Sequence, residues 1–316
     1  MTAIVCGSFA YDHIMVFQDR FKNHILPEKI HILNLSFLVP EMRREFGGCA
    51  GNIAYNLKLL GGDVIPMGTV GTDFGPYATW MDQCGIRRDH VTVIDGTYTA
   101  QAFITTDLDD NQITAFHPGA MSFSHKNSVK KVNGASIGIM SPDGRDGMIQ
   151  HGVEFVEAGI PFIFDPGQGM PMFDRDDLLR FIDQASWVTV NDYEWQLMQD
   201  KTGLSAEALT EKVEALIITR GAEGSLICTK EKRYKIPAAK PRALKDPTGC
   251  GDAYRAGLLY GLMKGLDWET TGRTASLMGA IKIEHAGTQN HRFDKAEFAS
   301  RYRENFGIEL QDPLIQ

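Results

Sequence analysis

The chain has 316 residues, 43% hydrophobic and 23% charged, with a formal net charge of -8. That balance fits a soluble globular protein of one or two domains. An acidic chain without a dominant basic stretch suits neither nucleic acid nor an anionic membrane surface, and no apolar run approaches the roughly 20 residues that span a bilayer.

The five cysteines, at 6, 49, 84, 228 and 250, include no CxxC pair. The odd count and the spacing argue against a disulfide framework or a structural zinc site, and reduced thiols suit a cytoplasmic location. The first residues run straight into a strand-like pattern, without the basic and apolar regions of a signal peptide. The nine histidines show no HExxH spacing, so a histidine-held catalytic metal is not expected.

In chain order, residues 3–7 read as a short buried strand ending at Gly7-Ser8, with Asp12 shortly after. Residues 30–39 read as a strand with two apolar faces. Leu33, Leu35, Phe37 and Val39 lie on one, and Ile30, Ile32 and Leu38 on the other beside Asn34 and Ser36. Such a strand needs cover on both sides, for example a ligand and a partner subunit. Gly47-Gly48-Cys49-Ala50-Gly51-Asn52 then opens a helix that stops at Gly61-Gly62. The cluster is neither GxGxxG nor a P-loop, and it serves either close packing or close approach to a ligand.

Residues 64–70 read as a strand and 74–83 as a helix. Strands over 97–106 and 112–117 are joined by an acidic turn, and they carry Phe103 and Phe116, each suited to core packing or to covering a flat ligand. From residue 136 strands alternate with helices: strands at 136–140, 161–165, 187–190 and 215–219, then a hairpin at 224–236 and three helices near 251–264, 268–285 and 295–305. That order predicts βαβ units and a mainly parallel sheet in a single α/β domain over 1–316, with extra strands early in the chain.

Polar residues collect at the ends of these segments: Ser8, Asp165, Asn191, Arg220 and Asp246. Ligands of open α/β sheets sit at the carboxyl ends of strands. Asn191-x-x-Glu194 is a capping box, or a pair of oxygens that organises water around Mg²⁺. Asp246-Pro247-Thr248-Gly249-Cys250-Gly251-Asp252 opens a long apolar-periodic helix. Its start is a ready anion site. Asp252 either stabilises that first turn or removes a proton from a hydroxyl that attacks a phosphoryl group.

The motif at 246–252, continued by Ala253-Tyr254-Arg255-Ala256-Gly257, resembles the C-terminal signature of the ribokinase-like (PfkB) family of sugar and nucleoside kinases. The stretch 47–52 resembles its N-terminal glycine signature, and Asn191-x-x-Glu194 its magnesium-phosphate motif. The likeness runs from Gly7 to Gly287-Thr288-Gln289, and within the family it is greatest to bacterial adenosine kinases. Gln112-Ile113 and Phe116-His117-Pro118-Gly119-Ala120-Met121 are similar to that subgroup. Two positions depart from it: Ala102 stands where an aromatic is frequent, with Phe103 on the opposite strand face, and Gly169 stands where a second Gln follows Gln168.

The resemblance implies a three-layer α/β/α sandwich with a small β-sheet lid, its strands inserted at about 10–18, 29–40 and 97–118. It implies ATP-dependent transfer to a nucleoside 5′-hydroxyl, adenosine to AMP in purine salvage, with a ribokinase-type sugar kinase or a broader nucleoside kinase (inosine, guanosine, cytidine) as the alternative. Asp252 would be the general base, and the amides of Gly249, Cys250 and Gly251 the anion hole. Ser8, Asp12, Ser36, Gly48, Asn52, Phe116 and Gln168 would bind the nucleoside. Asn191, Thr219, Arg220, Gly221 and Gly224 would meet ATP, and Asn191 and Glu194 would act through Mg²⁺ and its water. Oxygens near Asp246, Thr248 and Gly287 are candidates for a K⁺ that family members often need. A homodimer through the lid strands is expected, with no nucleic-acid or membrane partner.

Overall fold

Strands covered on both faces must be apolar along their whole length, and the short apolar runs of this chain are used that way. The computed structural model describes residues 1–25, 32, 34–109 and 111–310. The first half contains β1 (Thr2–Cys6), β2 (Ala10–Val16), β3 (Glu41–Gly47), α1 (Cys49–Leu59), β4 (Asp63–Val70), α2 (Gly75–Gln83), β5 (His90–Val93), β6 (Ala100–Thr106) and β7 (Gln112–His117). Then come β8 (Ala135–Met140), α3 (Arg145–Glu157), β9 (Phe162–Phe164), α4 (Arg175–Gln184), β10 (Trp187–Asn191), α5 (Asp192–Thr202), α6 (Ala206–Thr210) and β11 (Ala215–Thr219). The chain closes with β12 (Ser225–Cys228), β13 (Arg233–Ile236), α7 (Cys250–Lys264), α8 (Trp268–Ile283) and α9 (Lys295–Phe306).

The large sheet has the order β13-β12-β11-β10-β9-β8-β1-β4-β5. It is parallel except for β12 and β13 at one edge. Successive side chains of a strand point to opposite faces, so each strand feeds two cores. Ala3, Val5, Ile163 and Ile217 pack with α1, α7 and α8. Ile4, Cys6, Phe162, Phe164, Leu216 and Ile218 pack with α3, α4 and α6. The result is the expected three-layer α/β/α arrangement.

A second sheet has the order β3-β2-β6-β7. Its β2 runs straight on from the end of β1, so the small sheet is anchored at the crevice end of the large one. The strand expected over 30–39 lies partly outside the described residues, and residues 34–39 are irregular. The sheet takes β3 instead. Charged Glu41, Arg43, Arg44 and Glu45 hid that strand, because one of its faces looks into a polar crevice rather than a core. The sequence also gave no sign of the short β5 and α6. Asp246 does not close a strand: its N–H donates to Ile283 O at 3.2 Å, at the end of α8.

The end of α8 is tied to α9 by a buried fork: Arg301 Nη1 donates to Glu284 Oε2 at 2.8 Å and Nη2 to Oε1 at 2.5 Å. Removing one member of a buried pair strands the other charge. Arg301→Met should therefore lower unfolding free energy by about 3 kcal/mol, read as a fall in the urea midpoint.

Candidate active site

The crevice forms where α7 begins. Gly249 is the N-cap, at φ +79°, a left-handed conformation natural to glycine. Helix geometry leaves the Gly251 N–H without an intrahelical acceptor. The Cys250 N–H is engaged, donating to Pro247 O at 3.1 Å to close the preceding turn. The three-amide anion hole read from the sequence is therefore partly occupied by the chain's own turn. Arg255 fixes the direction of this helix start. Its Nε and Nη2 donate to Asp165 at 2.5 and 2.7 Å, and its Nη1 to Gly251 O at 3.2 Å. Asp165 lies just past β9, so the pair ties the first turn of α7 to the sheet.

Asp252 points out of that first turn. Asn52 Nδ2 donates to its Oδ2 at 2.8 Å. Gln289 Nε2 donates to Asn52 Oδ1 at 3.0 Å, and Trp80 Nε1 to Gln289 Oε1 at 2.9 Å. Both ends of the Asn52 amide are thus used to hold Asp252, where the sequence reading gave Asn52 to the sugar. Burial pushes the Asp252 carboxyl up to about 6, against the pull of Asn52 and Arg255.

Asp12 is on β2, inside a strand and not in a turn. Its register partners across the small sheet are Glu45 on β3 and Ala102 on β6, and Ala102 in turn faces Phe116 on β7. Side chains in such a row share a face. A side chain at Gly47 would come within 2.4 Å of Asp12 Oδ2, so this glycine makes room for the carboxylate. Among the described residues no hydrogen bond reaches the Asp12 carboxylate. Burial, then the charges of Asp252, Glu45 and Asp246, push it up to about 7. Phe103 belongs to the other face, where it stacks on His13 at 4.7 Å.

The remaining residues divide in two. Ser8 is buried and serves the fold: its Oγ accepts from Cys49 N–H at 3.3 Å. Gly48 is the N-cap of α1, beside it. Phe116 is half exposed, and Ser36 and Gln168 are exposed, with no hydrogen-bond partner for either side chain among the described residues. Asn191 and Glu194 form the capping box: Asn191 Oδ1 accepts from Glu194 N–H at 2.7 Å and Glu194 Oε2 from Asn191 N–H at 2.8 Å. Burial and the neighbouring Asp165 raise the Glu194 carboxyl despite Arg255. Thr219, Arg220, Gly221 and Gly224 surround the tight turn after β11, closed by Arg220 N–H to Gly224 O at 2.8 Å. Arg220 Nε is buried there without a partner among the described residues. Thr248 and Gly287 turn their N–H groups, not their carbonyls, to Asp246: Thr248 N donates to Oδ1 at 3.0 Å and Gly287 N to Oδ2 at 2.9 Å. Against burial, those bonds hold the Asp246 carboxyl below its ordinary value.

Sequence reasoning assigned no role to Arg255, Gln289, Glu45 or Lys282. A lone arginine or lysine inside an apolar helical stretch was the available signal for two of them. Gln289 and Glu45 carried none, since their partners are distant in the chain.

Residues 9–295 match the pfkB family carbohydrate kinase profile. The nucleoside kinase of Methanocaldococcus jannaschii is 31% identical over 298 residues, 92% of this chain and 93% of that protein. The structure of Burkholderia thailandensis nucleoside kinase in complex with inosine aligns with a TM-score of 0.90 at 54% identity, covering 97% of this chain and 99% of that one. Sinorhizobium meliloti adenosine kinase aligns at 20% identity and a TM-score of 0.72, over 91% of this chain and 95% of that one, which carries the fold alone. Signature helix start, crevice and these likenesses agree: the chain belongs to the pfkB family of carbohydrate kinases, phosphotransferases that act on a hydroxyl group, and has the ribokinase-like fold.

Proposed function

We propose that this kinase transfers the γ-phosphoryl group of ATP to the 5′-hydroxyl of a nucleoside and tolerates several bases. One observation carries the reading: Asp12 presents an unpartnered carboxylate in the crevice that also holds Asp252 and the start of α7. A carboxylate only accepts hydrogen bonds, and vicinal ribose hydroxyls donate two. The B. thailandensis relative, solved with inosine and with ADP-inosine, supports a nucleoside acceptor.

In this reading Asp252 takes the 5′-hydroxyl proton as its oxygen bonds to the γ-phosphorus and the bond to ADP breaks. Gly249 and Gly251 amides, with the positive end of α7, stabilise the charge moving onto the phosphoryl oxygens. Cys250 contributes its N–H only by releasing Pro247. Asn52 and Gln289 orient the base. The orphaned Arg220 Nε after β11 is a donor that a nucleotide phosphate would satisfy. Thr219, Gly221 and Gly224 form the turn beside it. Magnesium, when bound with ATP, would neutralise phosphate charge, and Glu194, its carboxyl raised by burial, is the residue that would hold it through water.

The base is where selectivity is loose. Ala102 separates Asp12 from Phe116 in the crevice-facing row, so that row offers a single aromatic, Phe116, to cover the ring. Exposed Ser36 and Gln168, with Gly169 adding no side chain, set few demands on the base edge. Adenosine is then one acceptor among several. The small sheet acts as the lid over the sugar. Its outer face exposes Met42, Phe103 and Ile113, which a second copy of the lid would cover in a homodimer. The five free cysteines suit a reducing, ATP-rich cytoplasm.

Four measurements test this. In direct ADP-release assays, inosine, guanosine and adenosine should all outperform ribose, and a preference for ribose would overturn the acceptor. Asp252→Asn should cut kcat by about 10³-fold with nucleoside binding changed little. In the wild type both carboxylates must be ionised, and both sit above the ordinary range. The kcat/KM profile should therefore fall toward acid through apparent values near about 6 and about 7, belonging to the coupled pair. Light scattering at micromolar concentration should give twice the monomer mass, and a monomer would remove the dimer.

A further inference from the structure

The loop that launches α7 needs a positive charge behind it. It carries the Asp246 carboxylate, and it must keep the Gly249–Gly251 amides aimed outward while negative charge builds in front of them. Proteins meet such a need either with a bound monovalent cation, coordinated by carbonyl oxygens, or with an ammonium group donating to the same oxygens.

Lys282 is the relevant residue. It is fully buried in the last turn of α8, with 0% exposure, where lysine is almost never found without a purpose. Its Nζ donates to Asp246 O at 2.7 Å and to His285 O at 3.1 Å. Both acceptors are backbone carbonyls, one on the anion-hole loop and one just past α8. The charge reaches Cys250, at the first helical position of α7, where it opposes the rise of the thiol caused by burial. Burial lowers the pKa of the ammonium, and so does the like charge of Arg43, whereas Cys250, Asp246 and Glu45 facing it act the other way and favour the charged form. Of the other oxygens considered for K⁺, those of the Asp246 carboxylate already accept the Thr248 and Gly287 N–H groups. An ammonium is close to K⁺ in size, and here it holds the carbonyl that a K⁺ in this loop would need.

We propose that Lys282 is a built-in substitute for the monovalent cation: it locks the Asp246–Asp252 loop to the end of α8, places a fixed positive charge behind the anion hole, and makes the kinase independent of K⁺. Lys282 is a positioning residue, acting through the loop and not on substrate. The inference rests on phosphoryl transfer at the start of α7, not on the identity of the acceptor.

The test compares turnover in potassium, ammonium and tetramethylammonium chloride at constant Mg²⁺, with product nucleotides separated by chromatography. The wild type should vary by less than about twofold between the salts. Lys282→Ala leaves room for an ion. It should lose about 100-fold in tetramethylammonium and recover at least about tenfold with K⁺ or ammonium. Lys282→Met fills the space without charge and should not recover. Melting temperature adds a readout that needs no substrate: K⁺ should raise that of Lys282→Ala and leave the wild type unchanged. Stimulation of the wild type by K⁺ beyond about tenfold, or a rise in its melting temperature specific to K⁺, would overturn the proposal. So would a Lys282→Ala enzyme that keeps wild-type turnover in tetramethylammonium. If neither variant folds, the wild-type salt series and melting curves decide alone.

Discussion

The buried fork between Arg255 and Asp165 is the constraint on which the site depends. A helix N-terminus stabilises moving negative charge only within its first turn and only along its axis. The direction of α7 must therefore be fixed to the sheet, not left to apolar packing, which resists rotation weakly. Arg255 does this with two bonds to the end of β9 and a third to the Gly251 carbonyl in the turn it aims. A buried pair of this kind is costly to desolvate and is weak evidence for stability. Here its value is geometric.

Around that helix start the crevice is crowded with carboxylates: Asp12 and Glu45 from the small sheet, Asp246 and Asp252 from the α7 loop. Like charges this close repel one another. The structure manages each differently. Asp246 is stabilised by two backbone N–H groups, Glu45 by Asn290 Nδ2 at 2.8 Å, and Asp252 by Asn52 and the helix end. Asp12 is the one of the four that no donor reaches among the described residues, and it is left the most strongly raised of them.

Much of the fold was legible because α/β sheets write themselves in period and punctuation. The buried strands β1, β8, β10 and β11 are near-continuous apolar runs, and α5, α7 and α8 carry caps or glycine stops. The capping box at Asn191–Glu194 was readable from two residues. What failed had physical reasons. β3 is a strand between a crevice and solvent, so its pattern is charged. The bonds from Asn52 to Asp252 and Gln289 were not legible, because only the fold brings these residues near, nor was the bond from Cys250 N–H to Pro247 O, which spacing alone does not reveal. Asp12, Glu45, Ala102 and Phe116 form a single row only through a register that crosses most of the first half of the chain.

The division of labour between the two sheets has an evolutionary consequence. The groups proposed to take the proton and to stabilise charge belong to a helix packed against the large sheet, within a core that tolerates little change. The row that would meet the acceptor belongs to four short strands, and half-exposed Phe116 and its neighbours support little core packing. Substitution there alters what is recognised at small cost to folding. Changes in that row can thus alter an acceptor preference almost independently of the groups around α7.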